Sequence, residues 1–255
     1  MTQAKSSAAV PLSTYDVLGI PITVTSLDSA SRTITAWAGD RCGRFVCIRD
    51  VHGVMQARAD AAVMAVHREA AMVTPDGMPL VWIGRRRGLP VERTCGPDLI
   101  DRVLGDSVKS GLGHYFYGGK PGVAARLAEG FAAKYSGLKV VAAESAPFTD
   151  LDREALAALA ARIEASAADV VWIGLSTPRQ ELLMQRLAPL VGATLIGVGA
   201  AFDFHTGAVK RAPQWMQKAG LEWSFRLLSE PRRLWRRYLI MAPRFLIALA
   251  REKLR

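Results

Sequence analysis

Four short segments carry residue types that can do chemistry, and each follows an apolar run that reads as a strand. In VTPDGMP, residues 73–79, Asp76 precedes Gly77 in a turn signature. The turn is flanked by an apolar strand and by MPLVW, so its carboxylate would be partly enclosed. Such a group can act as a general base when a hydroxyl comes within hydrogen-bond reach; a plain Asp-Gly turn accounts for the residues equally well. YGGKPG, residues 117–122, places Gly118, Gly119 and Lys120 at a strand–helix junction, where backbone N–H groups and a helix N-terminus can receive a phosphate. It lacks the endings of a P-loop and of a dinucleotide fingerprint, and a simple β–α turn serves as an alternative. In GLSTPRQEL, residues 174–182, Thr177 and Pro178 open a helix. Gln180 could hydrogen-bond a uracil or a sugar, and Glu181 suits the positive end of the helix. GVGAAFDFHTG, residues 197–207, combines small residues that permit close approach with Asp203 and His205, or is a loop burying Phe202 and Phe204.

Other constellations fail on their chemistry. Asp150-Leu-Asp152 precedes an alanine-rich helix and is better explained by capping than by metal binding. No His, Cys or carboxylate cluster has metal-ligand spacing, and no Gly-x-Ser-x-Gly elbow occurs. No metal site is predicted.

The elements that must hold these loops alternate as a parallel sheet requires. Strands are predicted at Phe45–Ile48, Ala71–Val73, His114–Tyr117, Leu138–Ala143, Asp169–Gly174 and Thr194–Val198, with helices over 53–68, 96–110, 122–135, 152–167 and 178–188. The strands are unbroken apolar runs, as when helices cover both faces. An α/β fold with a Rossmann-like parallel sheet follows. Three domains are expected: a disordered leader over 1–13, a catalytic domain over 14–207, and a helical arginine-rich appendage over 208–255. The appendage reads as helices near 212–219, 221–229 and 231–250, the last kinked. There Leu234, Tyr238, Met241, Phe245 and Leu249 form one apolar stripe. The stripe suits a membrane interface or packing on the main domain.

Charge singles out the same appendage. Residues 206–255 hold 12 Lys and Arg against three Glu, a balance of +9 within a chain total of +10. Such asymmetry points to an anionic partner: a phosphate-bearing ligand, anionic lipid or nucleic acid. The tail has no zinc-finger, RRM or basic-zipper pattern, which disfavours nucleic acid. The three cysteines suggest a reducing compartment rather than a disulfide framework. No signal-peptide core is seen near the N-terminus, and the apolar stretch 239–250 is too short to span a membrane.

Nine blocks, in order, resemble the WecG/TagA/CpsF family of bacterial glycosyltransferases. They are DVHGVM (50–55), TPDGMPLVW (74–82), ERTCGPDL (92–99), FYGGKPGV (116–123), STPRQE (176–181), GVGAAFDF (197–204), RAPQWM (211–216), GLEWSFRL (220–227) and EPRRLWRRY (230–238). The resemblance implies inverting, metal-independent transfer of a sugar from a UDP-sugar to a polyprenyl-diphosphate-linked acceptor, without a cofactor, at the cytoplasmic face of the membrane. It also allows a homo-oligomer. By motif, Asp76 becomes the base and Arg93 a diphosphate contact. Gln180 falls near the substrate, and Arg226, Arg233 and Arg236 steady the UDP leaving group, with Gly118, Gly119 and Lys120 as further substrate contacts. Two blocks are most similar to exopolysaccharide members, which include a xanthan glucuronosyltransferase. An N-acetylmannosamine-type transfer is the alternative. Many relatives carry Thr-x-Asn where this chain has Ile48-Arg49-Asp50. Arg49 would suit a uronate carboxylate, making UDP-glucuronate an expected donor with Arg49 and Asp50 as its readers; a local Arg49–Asp50 ion pair is the other reading. An oxidoreductase on the same fold is disfavoured by the missing dinucleotide fingerprint.

Overall fold

The computed structural model describes residues 12–253; of the leader expected over 1–13, residues 1–11 lie outside that range. The described chain opens on a hairpin, β1 (Thr14–Val17) and β2 (Ile20–Thr23), followed by α1 (Leu27–Ala38). Then come β3 (Phe45–Arg49), α2 (Val51–Ala59), α3 (Ala61–Glu69), β4 (Met72–Pro75), α4 (Met78–Arg86), α5 (Gly96–Ser107), β5 (His114–Gly118) and α6 (Val123–Lys134). The sheet is completed by β6 (Val140–Glu144), α7 (Arg153–Ala165), β7 (Val170–Gly174), α8 (Arg179–Leu187) and β8 (Thr194–Gly197), with α9 (Ala201–His205) after it. The tail holds α10 (Gln214–Lys218), α11 (Glu222–Ser229), α12 (Pro231–Trp235), a π-helical turn Arg236–Met241 and α13 (Ala242–Lys253).

Strands β3 to β8 form one six-stranded sheet in the order β4-β3-β8-β7-β5-β6, with every pairing parallel. All six predicted strands are present, with no end displaced by more than two residues. The α/β Rossmann-like architecture is therefore what the molecule has. Successive strand residues point to opposite faces. Cys47, Val73, Val171, Ile173 and Leu195 enter one core with α2, α3, α4, α7 and α8. Val46, Met72, Val170, Trp172 and Ile196 enter the other with α1, α5, α6 and α9. The helix expected over 53–68 is two helices. Asp60 ends α2 and caps α3, accepting from the Ala62 and Val63 N–H groups, which turns the chain within one residue.

In the tail, one of the two readings of the apolar stripe is seen directly. Its apolar stripe lies against the protein: Leu234 and Phe245 are buried, and Phe245 and Ala248 join the first core with Leu249 packed beside them. Of the two readings of the stripe, packing on the protein is the one seen at Leu234, Phe245 and Leu249, while Tyr238 and Met241 stay half-buried. The bend anticipated in this helix is a π-helical turn just ahead of Pro243, which has no N–H to continue the hydrogen-bond ladder. Among the described residues no helix is long and apolar enough to cross a membrane.

Candidate active site

Adjacent strands β3 and β8 send their connections to opposite faces of the sheet, α2 to one core and α9 to the other. Ligand crevices form at such switch points, beyond the carboxyl ends of the strands. Here a cavity of about 370 Å³ opens at that end, lined by Asp50, His52, Asp76, Arg93 and Phe204 from the body and by Glu222, Arg226, Arg237 and Tyr238 from the tail.

Asp76 is the first residue beyond β4. Its N–H donates to the Arg49 carbonyl at 2.7 Å, extending the β3–β4 ladder by one bond. The 92–95 segment is laid alongside, with Thr94 N–H donating to the Pro75 carbonyl at 2.8 Å and Thr74 Oγ1 to the Thr94 carbonyl at 3.0 Å. This places Arg93 against the turn. Its Nε donates to the Asp76 carbonyl at 2.6 Å and its Nη2 to Oδ1 at 3.1 Å. Burial pushes the Asp76 carboxyl above its ordinary value; Arg93 opposes this, while the nearby carboxylates Asp50 and Glu222 add to it. A partly enclosed carboxylate with a raised pKa, held in orientation by an arginine, is what a general base requires.

Asp50 caps α2, with Oδ1 accepting from the Gly53 N–H at 3.0 Å. Its Oδ2 is paired with Arg237. Burial alone would raise its pKa, but Arg237 and the Gly53 N–H outweigh burial and hold the carboxyl well below the usual range. From the tail, Glu222 also reaches Arg93, 2.7 Å from Nη2. Two ion pairs, Arg237–Asp50 and Glu222–Arg93, therefore fasten the tail across the cavity.

Arg49 is not in this cavity. It is 1% exposed, and its guanidinium is paired with Glu181, itself buried. Thr177 Oγ1 and Gln180 Nε2 also donate to Glu181, at 3.3 and 2.7 Å, and Gln180 Oε1 accepts from the Gly199 N–H at 3.0 Å. Arg49 and Gln180 thus belong to a buried polar network centred on Glu181, and neither lines the cavity. The uronate argument from Arg49, and the local Arg49–Asp50 pair, both give way: Glu181, remote in sequence, takes the guanidinium. A test of this packing is Gly53→Ala. A Cβ at Gly53 would stand 2.6 Å from Arg49 Nη1 and 3.0 Å from its Cδ, and the Arg49 guanidinium is held by Glu181. The expected cost is about 1–3 kcal/mol, read as a lowered thermal midpoint; an unchanged midpoint would show that Arg49 is free to move.

The remaining predicted residues divide. Arg226 lines the cavity with its guanidinium 5.4 Å from the centre of the Phe204 ring. Arg233 pairs with Glu230 in an exposed position, and Arg236 lies over the neighbouring Trp235 ring; neither lines the cavity. Gly118 and Gly119, at the end of β5, also stand apart from it. Gly118 has φ +132°, and a Cβ there would come within 2.6 Å of the Gly174 carbonyl, so strand packing explains this glycine. Lys120 is exposed on the same loop. Arg237, Glu222 and His52 were missed as site residues, although all three fall inside the blocks 50–55, 220–227 and 230–238. Among the described residues no group of three or more His, Cys, Asp and Glu is placed to hold a metal ion.

Compared with known families, the chain matches the model described as the glycosyl transferase WecG/TagA/CpsF family over residues 15–255.

Proposed function

The chain belongs to the WecG/TagA/CpsF family of glycosyl transferases, and from that premise we propose that it moves a sugar from a UDP-sugar to a polyprenyl-diphosphate-linked acceptor, with inversion and without a metal. The observation that carries this reading is Asp76, its carboxyl raised above the ordinary range in a cavity shared with Arg93, Arg226 and Arg237. Asp76 takes the proton of the acceptor hydroxyl as that oxygen bonds to the anomeric carbon. The bond from that carbon to the diphosphate oxygen breaks on the opposite side, and its electron pair leaves with UDP. One displacement gives inversion. Negative charge grows on the diphosphate, and guanidinium groups that bind phosphate oxygens can offset it. Cell-surface or exopolysaccharide synthesis at the inner membrane face is the setting this reaction fits. Apolar residues left exposed on the tail, among them Trp223, Leu239 and Ile247, support peripheral contact with a lipid surface.

The test is a transfer assay with a panel of UDP-sugars and sugar diphosphates linked to polyprenol. Release of one UDP per sugar transferred, with a rate unaffected by chelator, is expected. Absence of transfer from every UDP-sugar would overturn the donor class. Loss of activity on chelation, restored by a divalent ion, would overturn the metal-free mechanism.

A further inference from the structure

The lining of the cavity is of two chemical kinds. One is the carboxylates and arginines described above. The other is hydrocarbon: Met78 and Pro79 from α4, and Pro243 and Leu246 from α13. Pro243 and Leu246 are three residues apart and share a helix face. Gly220, between α10 and α11, lines the same cavity and lies against α4: a Cβ there would stand 3.2 Å from Met78 Cγ and 3.4 Å from Trp82 Cζ2, which brings Trp82 to the cavity's edge. At the rim Leu246 is 63% exposed and Trp82 53% exposed. Apolar surface continuous with a charged pocket marks a place where something apolar binds. A nucleotide sugar has no hydrocarbon to set against this wall. An amphiphile with an anionic diphosphate at one end and a hydrocarbon chain at the other matches both halves.

We propose that the cleft between α4 and α13 is a hydrocarbon subsite that holds the first isoprenoid units of the acceptor, its lipid leaving the protein past Trp82 and Leu246. The inference rests on the lipid-linked acceptor of the reading above and adds where that lipid lies. It makes Met78, Pro79, Trp82, Pro243 and Leu246 determinants of acceptor choice, with no part in donor binding.

Farnesyl diphosphate, kept below its aggregation concentration, is the probe, with inorganic diphosphate as the reference. The full chain is expected to bind farnesyl diphosphate at least about tenfold more tightly than inorganic diphosphate, the ratio that roughly two buried methylenes supply. Leu246→Glu and Trp82→Glu, on different helices and at exposed positions, should each bring that ratio close to one at an unchanged thermal midpoint. Equal affinity for the two probes in the parent, or a ratio untouched by both substitutions, overturns the subsite. A parallel assay compares kcat/KM for lipid-linked and lipid-free sugar diphosphates, and the ratio should fall about tenfold in Leu246→Glu. Preferential farnesyl diphosphate binding without any transfer would leave the subsite standing and sink the reaction. Transfer that is blind to the lipid would do the reverse.

Discussion

Asp76→Asn should lower kcat by about 10²- to 10⁴-fold, the range that a positioned general base supplies, while UDP binding and the thermal midpoint stay close to those of the parent. The amide keeps the shape of the carboxyl, and Arg93 Nε keeps its bond to the residue 76 carbonyl. What is lost is the capacity to accept a proton. The parent's rate should rise with pH through the Asp76 pKa, which burial and the carboxylates Asp50 and Glu222 set above the ordinary carboxylate value against the pull of Arg93. Arg93→Met removes the lowering influence, so the acid limb should move to higher pH. A substrate contact with no hold on Asp76 would change KM and leave the limb in place. Turnover of Asp76→Asn near the parent rate, or an unshifted limb in Arg93→Met, would place the base elsewhere.

The sheet was legible because parallel strands are buried on both faces, and runs such as VVWIG (170–174) then have no polar alternation to obscure them. Asp76 was legible for a related reason: a polar residue directly at a strand end in an α/β sheet stands where ligands gather. Arginine partners were not legible. Arg49 neighbours Asp50 in sequence, yet at the β3 terminus the chain turns into α2, and the two side chains part to Glu181 and Arg237. Nothing local marks Glu181 as the answer; it comes from the start of α8, where the helix dipole was a sufficient account. The tail posed a problem of phase. Arg232, Arg233, Arg236 and Arg237 form one run, and which of them faces inward depends on the rotation of the helix. The π-helical turn from Arg236 to Met241 alters that rotation just where the decision falls. The helix α4 was missed because MPLVW resembles a strand extension, whereas Pro79 in its first turn suits a helix start.

Arg226→Ala is expected to cost about 10²- to 10³-fold in kcat/KM, the loss seen when one donor to developing negative charge is removed from an enclosed site. The arginines at the cavity are unequal. Arg93 is held by Asp76 and Glu222, and Arg237 by Asp50. Arg226 has no carboxylate partner among the described residues and rests on the face of Phe204, a surface that orients a guanidinium without cancelling its charge. An incoming diphosphate therefore meets Arg226 as a full positive charge, while the others arrive largely neutralised. Because charge on the leaving oxygen grows as the bond breaks, the loss should fall on kcat more than on the donor KM. Arg226→Lys should recover part of it, keeping the charge but not the planar two-pronged fit. Arg233→Ala should change the rate less than about fivefold, as for an exposed ion pair, and Arg236→Ala should behave alike. If Arg233→Ala matched Arg226→Ala in its loss, the tail would have to turn about its axis during the reaction. The ion pairs Arg237–Asp50 and Glu222–Arg93 would then hold it only between turnovers.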